Sequence, residues 1–248
     1  MHQRLLRYLV KINEWRKQKI SRNNFLILAA VVVGVMGGIA ASVLKQLTHI
    51  IANFLQNELH WEYKYYLYLF FPLTGILLTV LYIRTFIRKR KFQHGIPAIL
   101  YNISRNSGKI DSHNIYSQVI SSALTVGLGG SAGLEAPAVA SGSAIGSNIG
   151  RFFGLNYRET TLLLACGAAA GISGAFNSPV AGMIFAIEVI LPQFSIPAVV
   201  PLLISSAFAS VVSNIIYNEP LFVLVAKDWV RGALWYYIAL GIIVGFYS

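Results

Sequence analysis

Residues 127–182 read GLGGSAGLEAPAVASGSAIGSNIGRFFGLNYRETTLLLACGAAAGISGAFNSPVAG, and this stretch decides what fold the chain can adopt. It holds 12 of the chain's 21 glycines, gathered where apolar segments meet. Segmenting at glycine and proline predicts helices near 114–128, 136–153, 159–173, 179–191, 198–217 and 233–247. Several are shorter than the roughly 20 residues that cross a bilayer. Irregular backbone at membrane depth survives only where protein or a watery cavity surrounds it, because lipid offers no partner to a free N–H or C=O. Short apolar segments broken by glycine and proline therefore point to a ligand site built from interrupted helices. A bundle of full-length spans does not read this way.

Working outward, the 248 residues are 56% hydrophobic and only 12% charged. A soluble domain carries about 25% charged residues, so this chain cannot coat a globular surface in water. Its mean hydropathy is +0.61. Disorder, a collagen-like fibre and a disulfide-stapled secreted domain are excluded. Cys166, the one cysteine, has no internal partner and lies in an apolar run as a packing residue. The net charge of +11 is unevenly placed. Seven bases precede residue 23 (Arg4, Arg7, Lys11, Arg16, Lys17, Lys19 and Arg22), and five more cluster at Arg84, Arg88, Lys89, Arg90 and Lys91. Between the clusters lie two charge-free runs, 24–44 and 65–83, each long enough to cross about 30 Å of hydrocarbon. The positive-inside rule then puts the N-terminus and the loop after Arg84 in the cytoplasm, in a multi-pass membrane protein. The basic excess is a topology signal, and nucleic acid is not an expected partner, because no base cluster falls on a recognisable soluble fold. Residues 1–23 are too charged for a signal peptide. With Leu5, Leu6, Leu9, Val10 and Ile12 among the bases, they read as an amphipathic helix on the cytoplasmic membrane surface. A disordered basic tail is the alternative.

The acids are scarce, which makes two of them informative. A carboxylate at mid-membrane costs about 2.5–3.5 kcal/mol on insertion scales, so it marks a functional position. Glu135 stands in Gly133-Leu134-Glu135-Ala136-Pro137, and Pro137 suits the first turn of a helix, where a missing N–H is no loss. Glu135 is thus expected just before a helix N-terminus, where free N–H groups and the positive dipole end favour an anion. A carboxylate tethered there competes with a free anion and leaves when protonated; a plain helix cap with no ligand is the alternative. Glu188 lies late in an apolar helix, where a buried interhelical hydrogen bond and a proton-carrying role are both open. His94-Gly95-Ile96-Pro97 begins another helix, and Asn177-Ser178-Pro179 a third. Several N-termini pointing inward build an anion site from partial charges, which hold an ion less tightly than lysine or arginine. Gly142, Gly146, Gly150 and Gly154 recur every four residues and are expected to line one helix face for close packing.

At this point the residues resemble the CLC family of chloride channels and chloride/proton antiporters. Residues 167–182, followed by Ile187-Glu188, look like the family's most recognisable first-half segment. Residues 133–137 match its Gly-Lys/Arg-Glu-Gly-Pro motif, 93–97 its Gly-Ser-Gly-Ile-Pro motif, and 145–151 also fit. The resemblance spans about residues 24–248. It implies an all-α polytopic membrane protein with broken, re-entrant helices arranged as inverted repeats. Residues 1–23 are then the amphipathic helix, 24–230 the first repeat, and 231–248 the first helix of the second. It also implies chloride as the ion, no cofactor, and a homodimer in the bilayer with one anion pathway per subunit. Glu135 takes the place of the gating glutamate, which blocks the outer anion site until protonated. Gly133, Leu134 and Ala136, with His94, Gly95, Ile96 and Pro97, take anion-binding positions, and Glu188 and Val189 stand on the proton route.

Three departures qualify the resemblance. His94 replaces the serine whose hydroxyl helps hold the central anion. Leu134 and Ala136 replace the basic residue and glycine beside the gating acid. Val189 stands where proton-coupled members commonly carry an internal glutamate, which favours an uncoupled channel over the antiporter alternative. Family members are roughly twice this long, so the chain reads as a fragment, without the second-half Gly-x-Phe-x-Pro segment and the tyrosine that complete the site. Among other classes, an intramembrane serine protease finds Gly-x-Ser-Gly at Gly171-Ile172-Ser173-Gly174 and Gly-x-Ser-x-Gly around Ser131. However, no histidine follows Ser173 to act as its base. No His/Cys/Asp/Glu cluster has metal-ligand spacing. A non-transporting scaffold that kept the fold is the third reading.

Overall fold

The computed structural model describes residues 21–55, 64–87, 95–193, 195–217 and 231–247. Most of the expected amphipathic helix at 1–23 lies outside the described residues, as does His94. In order, the helices are α1 (Arg22–Asn53), α2 (Lys64–Phe86), α3 (Gly95–Arg105), α4 (Asn114–Gly127), α5 (Glu135–Phe152) and α6 (Tyr157–Phe176). They continue as α7 (Pro179–Phe185), which runs into a π turn at Ala186–Ile190, then α8 (Ile196–Ile216) and α9 (Leu234–Tyr247). Among the described residues there is no strand. Helices α1, α6 and α8 are long and apolar enough to cross a membrane.

Helix α6 forms the centre of the fold, buried by α1, α5 and α8. Glycine brings these helices together backbone to backbone. A Cβ at Gly142 would overlap the Gly167 carbonyl, and one at Gly146 would overlap the Leu163 carbonyl. A second seam, along α1, sets Gly34 against the Ser205 backbone, Gly38 against Ala209 and Gly37 against the Ala170 side chain. Serine hydroxyls tie the same helices: Ser205 donates to the Cys166 carbonyl at 2.9 Å, Ser173 to Ser206 at 2.6 Å and Ser213 to Gly174 at 2.6 Å. Lipid tails are as apolar as leucine, so burial of apolar surface does not drive such helices together. Close packing and interhelical hydrogen bonds do, the latter at about 0.6 kcal/mol each.

Gly154 departs from the expected packing row. It lies past the end of α5 with φ +60°, and its neighbours close a Schellman motif. Leu155 N–H donates to the Gly150 carbonyl at 3.0 Å and Gly154 N–H to Arg151 at 3.1 Å. It ends the helix, and only Gly142, Gly146 and Gly150 face α6.

The bounds of α1 and α6 also differ from expectation. Helix α1 runs nine residues past residue 44, carrying Lys45 into the interior at 3% exposure. The Lys45 ammonium donates to Ser213 Oγ at 2.8 Å and stands 5.2 Å from the centroid of the Tyr217 ring. Helix α6 begins at Tyr157 because Asn156 and Glu159 form a capping box: Asn156 Oδ1 accepts from the Glu159 N–H at 2.9 Å, and Glu159 Oε2 from the Asn156 N–H at 3.1 Å. It runs through Gly174, which packs on Ala41, and stops at left-handed Asn177, φ 54°.

Candidate functional site

Glu135 is the first residue of α5, and its N-cap, Leu134, makes no side-chain capping bond. The chain reaches it through Gly129 (φ +91°) and Gly130, whose N–H donates to the Thr125 carbonyl at 2.9 Å. Ala138 N–H returns to the Leu134 carbonyl at 3.1 Å, and Pro137 has no N–H. The N–H groups of Leu134, Glu135 and Ala136 are left without an acceptor among the described residues. The Leu134 side chain does not line the cavity at this helix start and packs against a small buried cluster that includes Val119 and Ala138, so Leu134 offers this site only its backbone. The Glu135 carboxylate folds back over Gly133, where a Cβ would overlap Oε2. It is half-buried and makes no hydrogen bond or ion pair among the described residues.

Gly133, Ala136 and Pro137 line a cavity of about 290 Å³ that Gly95, the first residue of α3, also lines. Gly95 has φ +71°, a left-handed backbone that favours glycine at this helix start. Two helix N-termini thus meet at one cavity, and their positive dipole ends share it. Of the other residues of the second motif, Ile96 packs into the main core and Pro97 is exposed.

The remaining wall sets five polar side chains among the apolar Val126 and Ala132. Helix α4 contributes Gln118, Ser121, Ser122 and Thr125, and α2 contributes Thr79. Thr79 and Thr125 hydroxyls lie 2.9 Å apart, and Thr125 donates to the Ser121 carbonyl at 3.0 Å. Ser122 Oγ has no partner among the described residues. The signal was present: Asn114, Gln118, Ser121 and Thr125 fall at i, i+4, i+7 and i+11, a polar stripe on an apolar helix. Backbone N–H groups, hydroxyls and helix dipoles supply partial positive charge, and among the described residues no lysine or arginine lines the wall.

Glu188 and Val189 do not line this cavity. Both lie in the π turn and face outward. The interhelical hydrogen bond open to Glu188 is not made: its carboxylate is exposed and has no partner among the described residues. Ser173 is fully buried and spends its hydroxyl on a backbone carbonyl of α8, a helix-packing bond rather than a nucleophile's contact with a base. Among the described residues, no three His, Cys, Asp or Glu side chains stand together.

Residues 75–248 match the family model described as the voltage gated chloride channel. The chain belongs to that family. As a voltage-gated chloride channel family member, it is 32% identical over 89% of its length to the "H(+)/Cl(-) exchange transporter ClcA" of Salmonella paratyphi B, covering 48% of that protein. It is 34% identical to the "Chloride channel protein CLC-e" of Arabidopsis thaliana over 62% of this chain and 25% of that one. Its fold matches a slow cyanobacterial Cl-/H+ antiporter with a TM-score of 0.70 at 23% identity, over 92% of this chain and 55% of that one. The chain thus spans half or less of the length of these curated relatives. Its helical fold is that of the voltage-gated chloride channel family, a family of integral membrane proteins.

Proposed function

We propose that this chain supplies one side of a selective transmembrane anion pathway, with chloride as the ion and Glu135 as the gate. The observation that carries the reading is the meeting of two helix N-termini, with unspent N–H groups, at a largely apolar cavity into which a few hydroxyls also project. The Glu135 carboxylate folds over a lining glycine, Gly133. Ionised, Glu135 competes with a free anion for the N–H groups of its own helix start. Protonated, it loses that attraction and yields the place. The anion contacts we assign are the backbone at Gly133, Leu134 and Ala136 and the start of α3 at Gly95 and Ile96, with His94 and Pro97 beside it. Residues 24–230 then form a first repeat and 231–248 open a second, in a full-length homodimer with its N-terminus in the cytoplasm.

The test uses the full-length protein in liposomes, with chloride efflux followed across pH. Glu135→Gln is expected to conduct with a flattened pH dependence, and an unchanged pH profile sinks the gate assignment.

Transport without proton coupling is the form we favour, because Val189 puts an apolar side chain beside Glu188. Chloride/proton exchange is the second reading, supported by the relatives named as exchange transporters. An outward chloride gradient that drives stoichiometric proton uptake decides for exchange; chloride flux without proton movement decides for a channel.

A further inference from the structure

A second cavity, of about 510 Å³, opens at the C-terminal ends of α3 and α5. Three bases line it, Arg105, Lys109 and Arg151, against one acid, Asp111. Bases are ordinary at helix C-termini, where they meet free carbonyl groups. Here backbone donors have already taken that role. Asn106 and Gly108 N–H groups both reach the Asn102 carbonyl, at 3.1 and 2.9 Å, and the Schellman motif closes α5. Arg151 spends one N–H on the Ile110 carbonyl at 3.3 Å. Among the described residues none of the three bases forms an ion pair, so their charge is left facing the cavity.

Helix ends and their connecting loops surround the cavity, which fits a position at one membrane face. Arg151 is in the last turn of α5, and α6 starts a few residues later at the capping box whose Glu159 also pairs with Arg22, at the start of α1. One position along the chain from the lining residues Asn102 and Arg151, Tyr101 on α3 and Phe152 on α5 are 53% and 58% exposed. Aromatic rings at helix ends are what a membrane–water interface selects. Unpaired bases next to such rings match a phosphate with an acyl chain attached, because basic pockets at a membrane surface hold anionic headgroups.

We propose that this basin binds the phosphate of an anionic phospholipid. The test is native mass spectrometry of the purified chain in mild detergent with equal phosphatidylglycerol and phosphatidylcholine. The chain is expected to retain phosphatidylglycerol preferentially, and Arg105→Gln with Lys109→Gln to lower the preference about fivefold per base removed. Both side chains are exposed, so the fold should tolerate the change. Asp111→Asn is the complementary variant, since removing the acid should strengthen retention, a gain that misfolding cannot mimic. Arg84→Gln, outside the basin, should change nothing. The proposal is overturned by equal retention of the two lipids, by full preference in the double variant, or by an equal loss in Arg84→Gln. Displacement of the lipid by millimolar glycerol phosphate also overturns it, in favour of a soluble phosphate ligand.

Discussion

Gly146 and Gly154 lie eight residues apart in what reads as one row, yet they do opposite work. At Gly146 the Leu163 carbonyl occupies the space of a Cβ, so Gly146→Ala must push α5 from α6. Overpacking of this kind costs about 1–3 kcal/mol and more where backbone is the obstacle. Gly154→Ala strains only a left-handed backbone, at about 1 kcal/mol. Thermal unfolding in detergent should therefore rank Gly146→Ala well below Gly154→Ala, and equal losses would contradict the two roles. Four-residue spacing could not separate them. What distinguishes Gly154 is the end of α5 at Phe152, two residues before it, and that boundary depends on which carbonyl the Leu155 N–H finds. The place of Glu135 at a helix start was legible for a different reason: Pro137, two residues on, marks a first helical turn in the chain itself.

At the scale of elements, the helix starts marked by proline or glycine were legible, and the end of α1 was not. Proline and glycine announced α3, α5 and α7 because those residues dictate φ or remove an N–H locally. Counting charge-free residues ended the first span at residue 44, yet α1 continues through Lys45. The group that makes this possible is Ser213, far along the chain, so no local pattern could reveal it. Ser213→Ala removes both the acceptor for the ammonium and the donor to Gly174, and is expected to cost about 1–3 kcal/mol in the same unfolding measurement. The cap of α6 makes a comparison within one element. Asn156→Ala should cost about 1 kcal/mol. Arg22→Gln removes only a pair whose arginine is 67% exposed, and should cost little. If Arg22→Gln proves the more damaging, the cap is not what fixes the start of α6.

For the molecule as a whole, the core is concentrated between α1 and α8, and α9 buries none of its residues. Truncation after residue 230 is accordingly expected to leave the unfolding midpoint of the remainder unchanged, and a drop would reveal packing by α9 on the core. The helical membrane class followed from composition, and the family from three motifs in order. The hydroxyls on the cavity wall were not legible in the sequence, because serine and threonine in an apolar helix usually satisfy themselves on their own backbone, as Thr125 does on Ser121. Their convergence with the starts of α3 and α5 exists only after folding.

The π turn at Ala186–Ile190 has a consequence for how this chain is compared with its relatives. Leu191 N–H reaches back five residues, to Ala186, so one more residue than usual fits in that turn. Each α-helical residue advances about 100° around the axis. Deleting one residue here would restore the α ladder and swing the following side chains by about that angle. Alignment column and compass direction are therefore separate coordinates at Glu188 and Val189. Two chains identical in sequence at these positions, one with the wide turn and one without, would aim their carboxylates at different neighbours.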